Sequence, residues 1–232
     1  MSPELYEGPL TTYYDGSWRV TEGPFVRKEP RPEDAEMVRM YVYNFNEEPA
    51  PKPPAPQEEI DGWRDRINQE FGPILPSPLS WDESSNGSAA ASPFPAALKL
   101  WIASLDDPDL RVKSNWSALP SPAVSERMTE RFSHIFLAPD FWLPAPFEFS
   151  IKTNDPKGKP AVLGSTLSLL RQLEELNDLS WRAPFDIVEG WNLLLPGTNS
   201  SLENAAKYSF CEAYLAARHA CDTHLPMKFD VE

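Results

Sequence analysis

The sequence predicts an α+β fold, with antiparallel sheet packed against several helices and a long Ala-rich helix near the C-terminus. Three observations carry this. Residues 37–45 (MVRMYVYNF) alternate, with Val38, Met40 and Val42 on one side and Tyr41 and Tyr43 on the other, which is the period-two pattern of a strand. Segments near 58–71, 121–136, 165–177 and 200–221 repeat apolar residues every three or four positions, the pattern of amphipathic helices. The 26 prolines in 232 residues are about twice the usual share, and they break the chain into short elements because proline is excluded from helix interiors and central strands. With 41% hydrophobic and 12% aromatic residues the chain carries enough apolar matter for a core, and its length suits a single domain over 1–232.

The elements follow in order. Residues 11–23 (TTYYDGSWRVTEG) place Asp15-Gly16 between aromatic and β-branched residues, a hairpin signal. The strand at 37–45 comes next, then a proline-rich linker at 49–56 (PAPKPPAP), extended and polyproline-like. In the helix at 58–71, Ile60, Trp63, Ile67 and Phe71 share a face, acidic residues sit at the favourable N-terminal end, and Gly72-Pro73 stops it. Residues 76–95 are rich in Ser, Pro and Ala and read as a long mobile loop. A short buried helix (AALKLWIASL) ends at Asp106-Asp107-Pro108, and 110–119 reads as a strand. In the helix at 121–136, Ser121 is the cap and Pro122 the first residue. A second hairpin spans 147–162, turning at Asn154-Asp155-Pro156-Lys157-Gly158, with Phe147, Phe149 and Ile151 alternating with polar residues. A helix follows at 166–176 with Leu167, Leu170 and Leu173 to one side. The run FDIVEGWNLLL reads as a strand or a buried helix, with Gly190 speaking against the helix. The final helix starts with a capping box of Ser200 and Glu203 and shows a face of mostly small residues: Leu202, Ala205, Ala206, Ser209, Ala213, Ala216, Ala217 and Ala220. Pro226 blocks its continuation, and MKFDVE reads as a terminal strand.

Net charge is −14, which argues against nucleic acid and against an anionic membrane surface as partners, since both need a basic face. A basic protein suits it, because opposite fields speed association. Cys211 and Cys221, ten residues apart on one helix, stand roughly 15 Å apart at 1.5 Å per residue, too far for a disulfide. Two free thiols suit a reducing compartment, and the cytoplasm is the expected location. The first residues, MSPELYEGPL, show neither the basic nor the apolar region of a secretory leader, and no run approaches the length of a membrane span.

No motif for serine nucleophiles, phosphate-binding loops or metal ligation is present, and the reading is of a non-enzymatic protein with no cofactor and no metal. His219 and His224 are five residues apart, off the helical spacing of metal ligands, although a site with Cys221 could assemble in space. With 35 Asp and Glu residues, adjacent acidic pairs single out no catalytic carboxylates. Aromatics near loops and element ends (Trp116, Phe141, Trp142, Trp181 and Trp191) are the more informative excess, either plugging the core or anchoring an interface. The candidate partner-binding residues are Glu58, Glu59, Asp61 and Asp65 on the first helix, Asp106, Asp107 and Asp109 at the end of the next, and Trp142 as the apolar anchor.

The closing stretch, from Ala205-Ala206 through Tyr214-Leu215-Ala216-Ala217 and Ala220 to His224-Leu225-Pro226-Met227 and Asp230, resembles the C-terminus of bacterial immunity proteins that protect cells from polymorphic or contact-delivered toxins. A fainter similarity to the SUKH immunity superfamily lies in Phe71-Gly72 to Leu75-Pro76 and Asn86-Gly87, where the intervening Ser/Pro/Ala loop departs from that family's order of elements. The resemblance implies a cytoplasmic antitoxin that neutralises a basic toxin by stoichiometric binding. Two other classes stand beside it: a hydrolase with a site near His219, Cys221 and His224, and a phage or secretion-system accessory protein.

Overall fold

The computed structural model describes residues 4–16, 56–81, 88–91, 96–111, 121–137, 139–194 and 200–230. The strand expected at 37–45, most of the 49–56 linker and Trp116 lie outside the described residues.

The architecture is α+β. Among the described residues six strands form one sheet: β1 (Glu4–Glu7), β2 (Ser88–Ala91), β3 (Phe141–Leu143), β4 (Ile151–Asn154), β5 (Pro160–Ser165) and β6 (Met227–Asp230). Their order across the sheet is β2-β1-β6-β3-β5-β4. The sheet is mixed rather than purely antiparallel, because β3 and β5 run parallel while the other neighbours are antiparallel. The cause is the route of the chain. After β3 it crosses to the outer edge to make β4, and the hairpin then returns β5 into the gap beside β3. The expected turn closes that hairpin: Asp155 Oδ1 accepts from Lys159 N at 2.8 Å, and Gly158 takes the left-handed φ of 82° that glycine tolerates. The C-terminal strand forms as expected and sits mid-sheet between β1 and β3.

Helices cover both faces. Side chains alternate along β3, so Phe141 and Leu143 face one way and Trp142 the other. On the Phe141 side lie α1 (Leu10–Asp15) and α2 (Pro56–Phe71), with Leu10, Ile60, Trp63 and Ile67 in one core together with Leu143, Ile151 and Leu163. On the Trp142 side lie α3 (Ala96–Asp106), α4 (Pro122–Arg131), α5 (Ser133–Phe136), α6 (Thr166–Ser180), α7 (Phe185–Glu189) and α8 (Leu202–Thr223), whose core includes Leu98, Phe132, Leu169, Leu173, Phe210, Leu5 and Met227. Burying each such side chain contributes about 1.5–3 kcal/mol.

Several expectations are corrected. Asp15-Gly16 ends helix α1 instead of turning a hairpin, with Gly16 at φ 79°; a left-handed glycine serves a helix C-cap as well as a hairpin turn. The 76–95 segment contains strand β2, which is paired along β1, and Leu79 and Trp81 are buried, the backbone of Leu79 being held at both N and O by the Asn68 side chain. Leu110 and Arg111 belong to a 3-10 turn (Pro108–Arg111), not a strand. The helix expected at 121–136 is split at Phe132, which leaves helical geometry at φ −122°, ψ 48°. In α6 the buried stripe is Leu169, Leu173 and Leu176, with Leu167 partly exposed, because the Ser165 cap, emerging directly from β5, sets the rotation. Residues 185–193 of the run FDIVEGWNLLL are helical after all: α7 runs into a 3-10 turn at Gly190–Leu193. Helix α8 is capped by Ser201, whose side chain accepts from Asn204 N at 3.2 Å, so the Ser200–Glu203 box does not form.

Candidate protein-binding surface

Helix α2 turns Ile60, Trp63 and Ile67 inward at i, i+3 and i+7, which leaves its acidic residues outward. Glu58 and Asp65 are exposed, and no ion pair among the described residues holds them. Glu59 is bound by Lys157 from the β4–β5 turn, and Asp61 by Arg64 one turn on. Beyond α3, Asp106 accepts two hydrogen bonds from the Arg127 guanidinium (3.0 and 2.8 Å), while Asp109 is exposed. The two acidic groups therefore sit on opposite faces of the sheet, α2 on the Phe141 side and α3 on the Trp142 side, and do not form one patch.

Trp142 is not a surface anchor. It lies in the middle of the sheet with no exposure, and its indole N–H donates to His134 O at 3.2 Å. A Phe-Trp pair between prolines looks like a loop in sequence, but β3 is held between β5 and β6, where both sides of the strand are covered. Phe141 is buried on the opposite face. Trp191 is buried and Trp181 is partly buried against the same core. Trp101 stacks on Trp181 (ring centroids 5.3 Å), and Trp181 packs edge-on against Trp191 (5.1 Å) and Phe210 (5.3 Å). These rings form an aromatic wedge between α3, α6 and α8.

The histidines and cysteines do not converge. His219 leaves α8 towards the sheet and pairs with Glu7 of β1, whose carboxylate is almost wholly buried. Burial pushes the Glu7 carboxyl above its ordinary value, an effect opposed by His219. Cys221 is two positions further along α8, on another side of the helix, and His224 follows in a left-handed C-cap at φ 59°. Both cysteines are free, and burial pushes both thiols up to about 11, so at neutral pH they are not thiolates. Among the described residues no group of three His, Cys, Asp or Glu side chains is placed to hold a metal ion.

A polar cleft of about 400 Å³ opens between α4, α6 and the β3–β4 connection. Its walls carry the pairs Arg131–Glu175 (2.7 Å) and Arg171–Glu148 (3.0 Å). At its base Gln172 accepts from His134 N (2.9 Å) and donates to Ser133 Oγ (3.2 Å). These groups satisfy one another, which marks the cleft as a network tying α6 to its neighbours. His134 beneath it is fully buried, with Nδ1 3.2 Å from Ser133 Oγ. Burial, reinforced by the Arg171 cation, pushes its imidazole down to about 4, so it is neutral at pH 7. The ring fits because β5 has Gly164 there: a Cβ would lie 2.9 Å from the imidazole Cδ2.

Large apolar side chains are exposed at several places, including Ile74, Leu137 and Leu179, and three more lie together in one stretch. Helix α7 and its 3-10 extension bury Val188 and Trp191 but expose Phe185 (41%), Ile187 (51%) and Leu193 (82%), with Asp186 and Glu189 exposed among them. Side-chain and backbone contacts hold this stretch in place. Asn177, at the end of α6, accepts from Ala183 N and donates to Ala183 O, fixing the turn into α7, and Arg182 adopts a left-handed φ of 51° to make that turn. The sequence signal was present in the alternation of apolar and acidic residues across FDIVE, but without knowing which side meets α8 it could not be told from a core segment. Comparison with protein-family models, curated proteins and solved structures gives no match to this chain.

Proposed function

We propose that this protein is an immunity-type inhibitor that binds a basic protein toxin stoichiometrically in the cytoplasm. The observation that carries this reading is the uncompensated acid of its surface: a net charge of −14, with Glu58, Asp65 and Asp109 standing outward and no ion pair among the described residues to neutralise them. Such a field accelerates encounter with a positive partner and repels phosphate backbones and anionic lipid. The similarity of 205–230 to the C-terminus of immunity proteins makes toxin neutralisation the specific form of that binding. Stoichiometric inhibition needs no catalytic group, only a surface that excludes the toxin's substrate.

The test is affinity capture of the tagged protein from a cell that also expresses its upstream neighbour gene, followed by surface plasmon resonance. A one-to-one complex with a basic protein is expected, with an association rate falling at least about tenfold as salt is raised. A captured partner of acidic or neutral character, or an association rate indifferent to salt, overturns the reading.

A further inference from the structure

From the exposed stretch of α7 and its 3-10 extension we infer that residues 185–193 form the docking surface for a basic amphipathic segment of a protein partner. The inference rests on the basic-partner reading above and adds where the partner sits and what it must present.

Three features converge. Phe185, Ile187 and Leu193 expose 41%, 51% and 82% of their surface within one short helical stretch. Scattered exposed apolar residues need no explanation, but three large ones in nine positions concentrate apolar surface in one short stretch, as interaction sites do. The stretch is held in place. Val188 (1% exposed) and Trp191 (8%) root it in the aromatic wedge, and Asn177 clamps the turn before it, so little ordering entropy is lost on binding. The charge around it selects the occupant. Asp186 and Glu189 stand among the apolar residues, and no Lys or Arg occurs from 183 to 206.

Of the cations that border the stretch, Arg182 and Arg218 are exposed, and only Lys207 is held in an ion pair among the described residues. Lys207 pairs with Glu203 at 2.7 Å over the Trp191 ring, and Arg218 lies 4.3 Å from the centre of the Phe185 ring. At a net charge of −14, the field of the whole protein repels a second copy of this chain, nucleic acid and anionic lipid. A protein segment with an apolar stripe edged by Lys or Arg satisfies both parts of the surface: the stripe covers Ile187 and Leu193, and the cations meet Asp186 and Glu189.

The experiment is an amide NMR titration of the full chain with a synthetic amphipathic Leu/Lys peptide of about 14 residues and with a scrambled peptide of the same composition. The wild-type protein is compared with the double variant Ile187→Ser, Leu193→Ser, which keeps every charge, and with Leu193→Ser alone, whose exposure leaves nothing to unfold. The expected result is preference for the amphipathic peptide, shifts centred on 183–194, and binding at least about tenfold weaker in the double variant. Shifts centred on α2, equal binding of the two peptides, or an unchanged double variant overturns the assignment. The two proposals fail separately. A basic partner captured with salt-sensitive association but dissociating equally from wild type and double variant leaves the function and removes the surface. Peptide docking at 183–194 with no basic partner captured does the reverse.

Discussion

Helices α2 and α7 flank the sheet on opposite sides, and both carry acids beside apolar residues, yet they differ in what they show to solvent. Helix α2 buries Ile60, Trp63 and Ile67 to 1% exposure or less and presents charge, two of its carboxylates being paired with Lys157 and Arg64. Helix α7 is five residues long and can bury one side chain, Val188, while Phe185 and Ile187 stay outside. The contrast teaches that acidity by itself marks a solvated face, whereas acid mixed with uncovered apolar surface marks a place where something else can settle.

The largest test of that contrast is core truncation. Trp63→Ala removes a fully buried indole whose N–H donates to Asn154 O at 2.6 Å, and it is expected to cost about 3–5 kcal/mol in urea denaturation. Ile187→Ser on α7 is expected to change stability by no more than about 0.5 kcal/mol. Comparable losses at the two sites would break the comparison.

Acid should act on the α7 side of the sheet. His134 is held neutral in the fold at about 4 against 6.5 when unfolded. The unfolded chain therefore binds more protons between these values, and stability is lost as pH falls from 6.5 towards 4. The shift corresponds to about 3 kcal/mol. Urea titrations at both pH values, compared with His134→Leu, should show a smaller loss in the variant. An identical loss would mean that His134 is not the group responsible.

Neutralising α2 sharpens the functional half of the comparison. Glu58→Gln with Asp65→Asn should slow association with a basic partner about two- to threefold and leave dissociation unchanged, since rim charges act on the on-rate. A change in dissociation would place α2 inside the interface.

The smallest effect is chemical. Cys211 lies under α7, its Sγ 3.9 Å from Glu189 O. With its thiol pushed up to about 11, only about a thousandth is ionised at pH 8, and labelling of the native protein should be slow. Occupation of α7 by the basic peptide should slow it further, while denatured protein should titrate two thiols. Rapid labelling in the native state would show that α7 lifts from α8.

Helices were largely legible because their periodicity and caps are local. Ile60, Trp63 and Ile67 announce α2, Ser121-Pro122 opens α4, and the small residues from Ala205 to Ala220 face the core as expected except Ala216, which is half-buried. The site was less legible. The acidic residues were visible, but Glu59, Asp61 and Asp106 turn out to be bound by Lys157, Arg64 and Arg127, cations whose proximity composition does not reveal.

By itself the sequence determined what depends on neighbours a few positions apart: the helix registers near Ile60 and Ala205, the turn at Asp155, the separation of Cys211 from Cys221, and the sign of the surface charge. Tertiary structure decided what depends on which face meets which. A short strand such as β3 carries no period that says whether it is covered, so Trp142 became a core residue only when β5 and β6 closed around it. The same reason placed β5 parallel to β3, set Glu7 against His219 across 212 positions, and left Phe185, Ile187 and Leu193 outside, because burial is a property of the partners a side chain finds and those partners are distant in the chain.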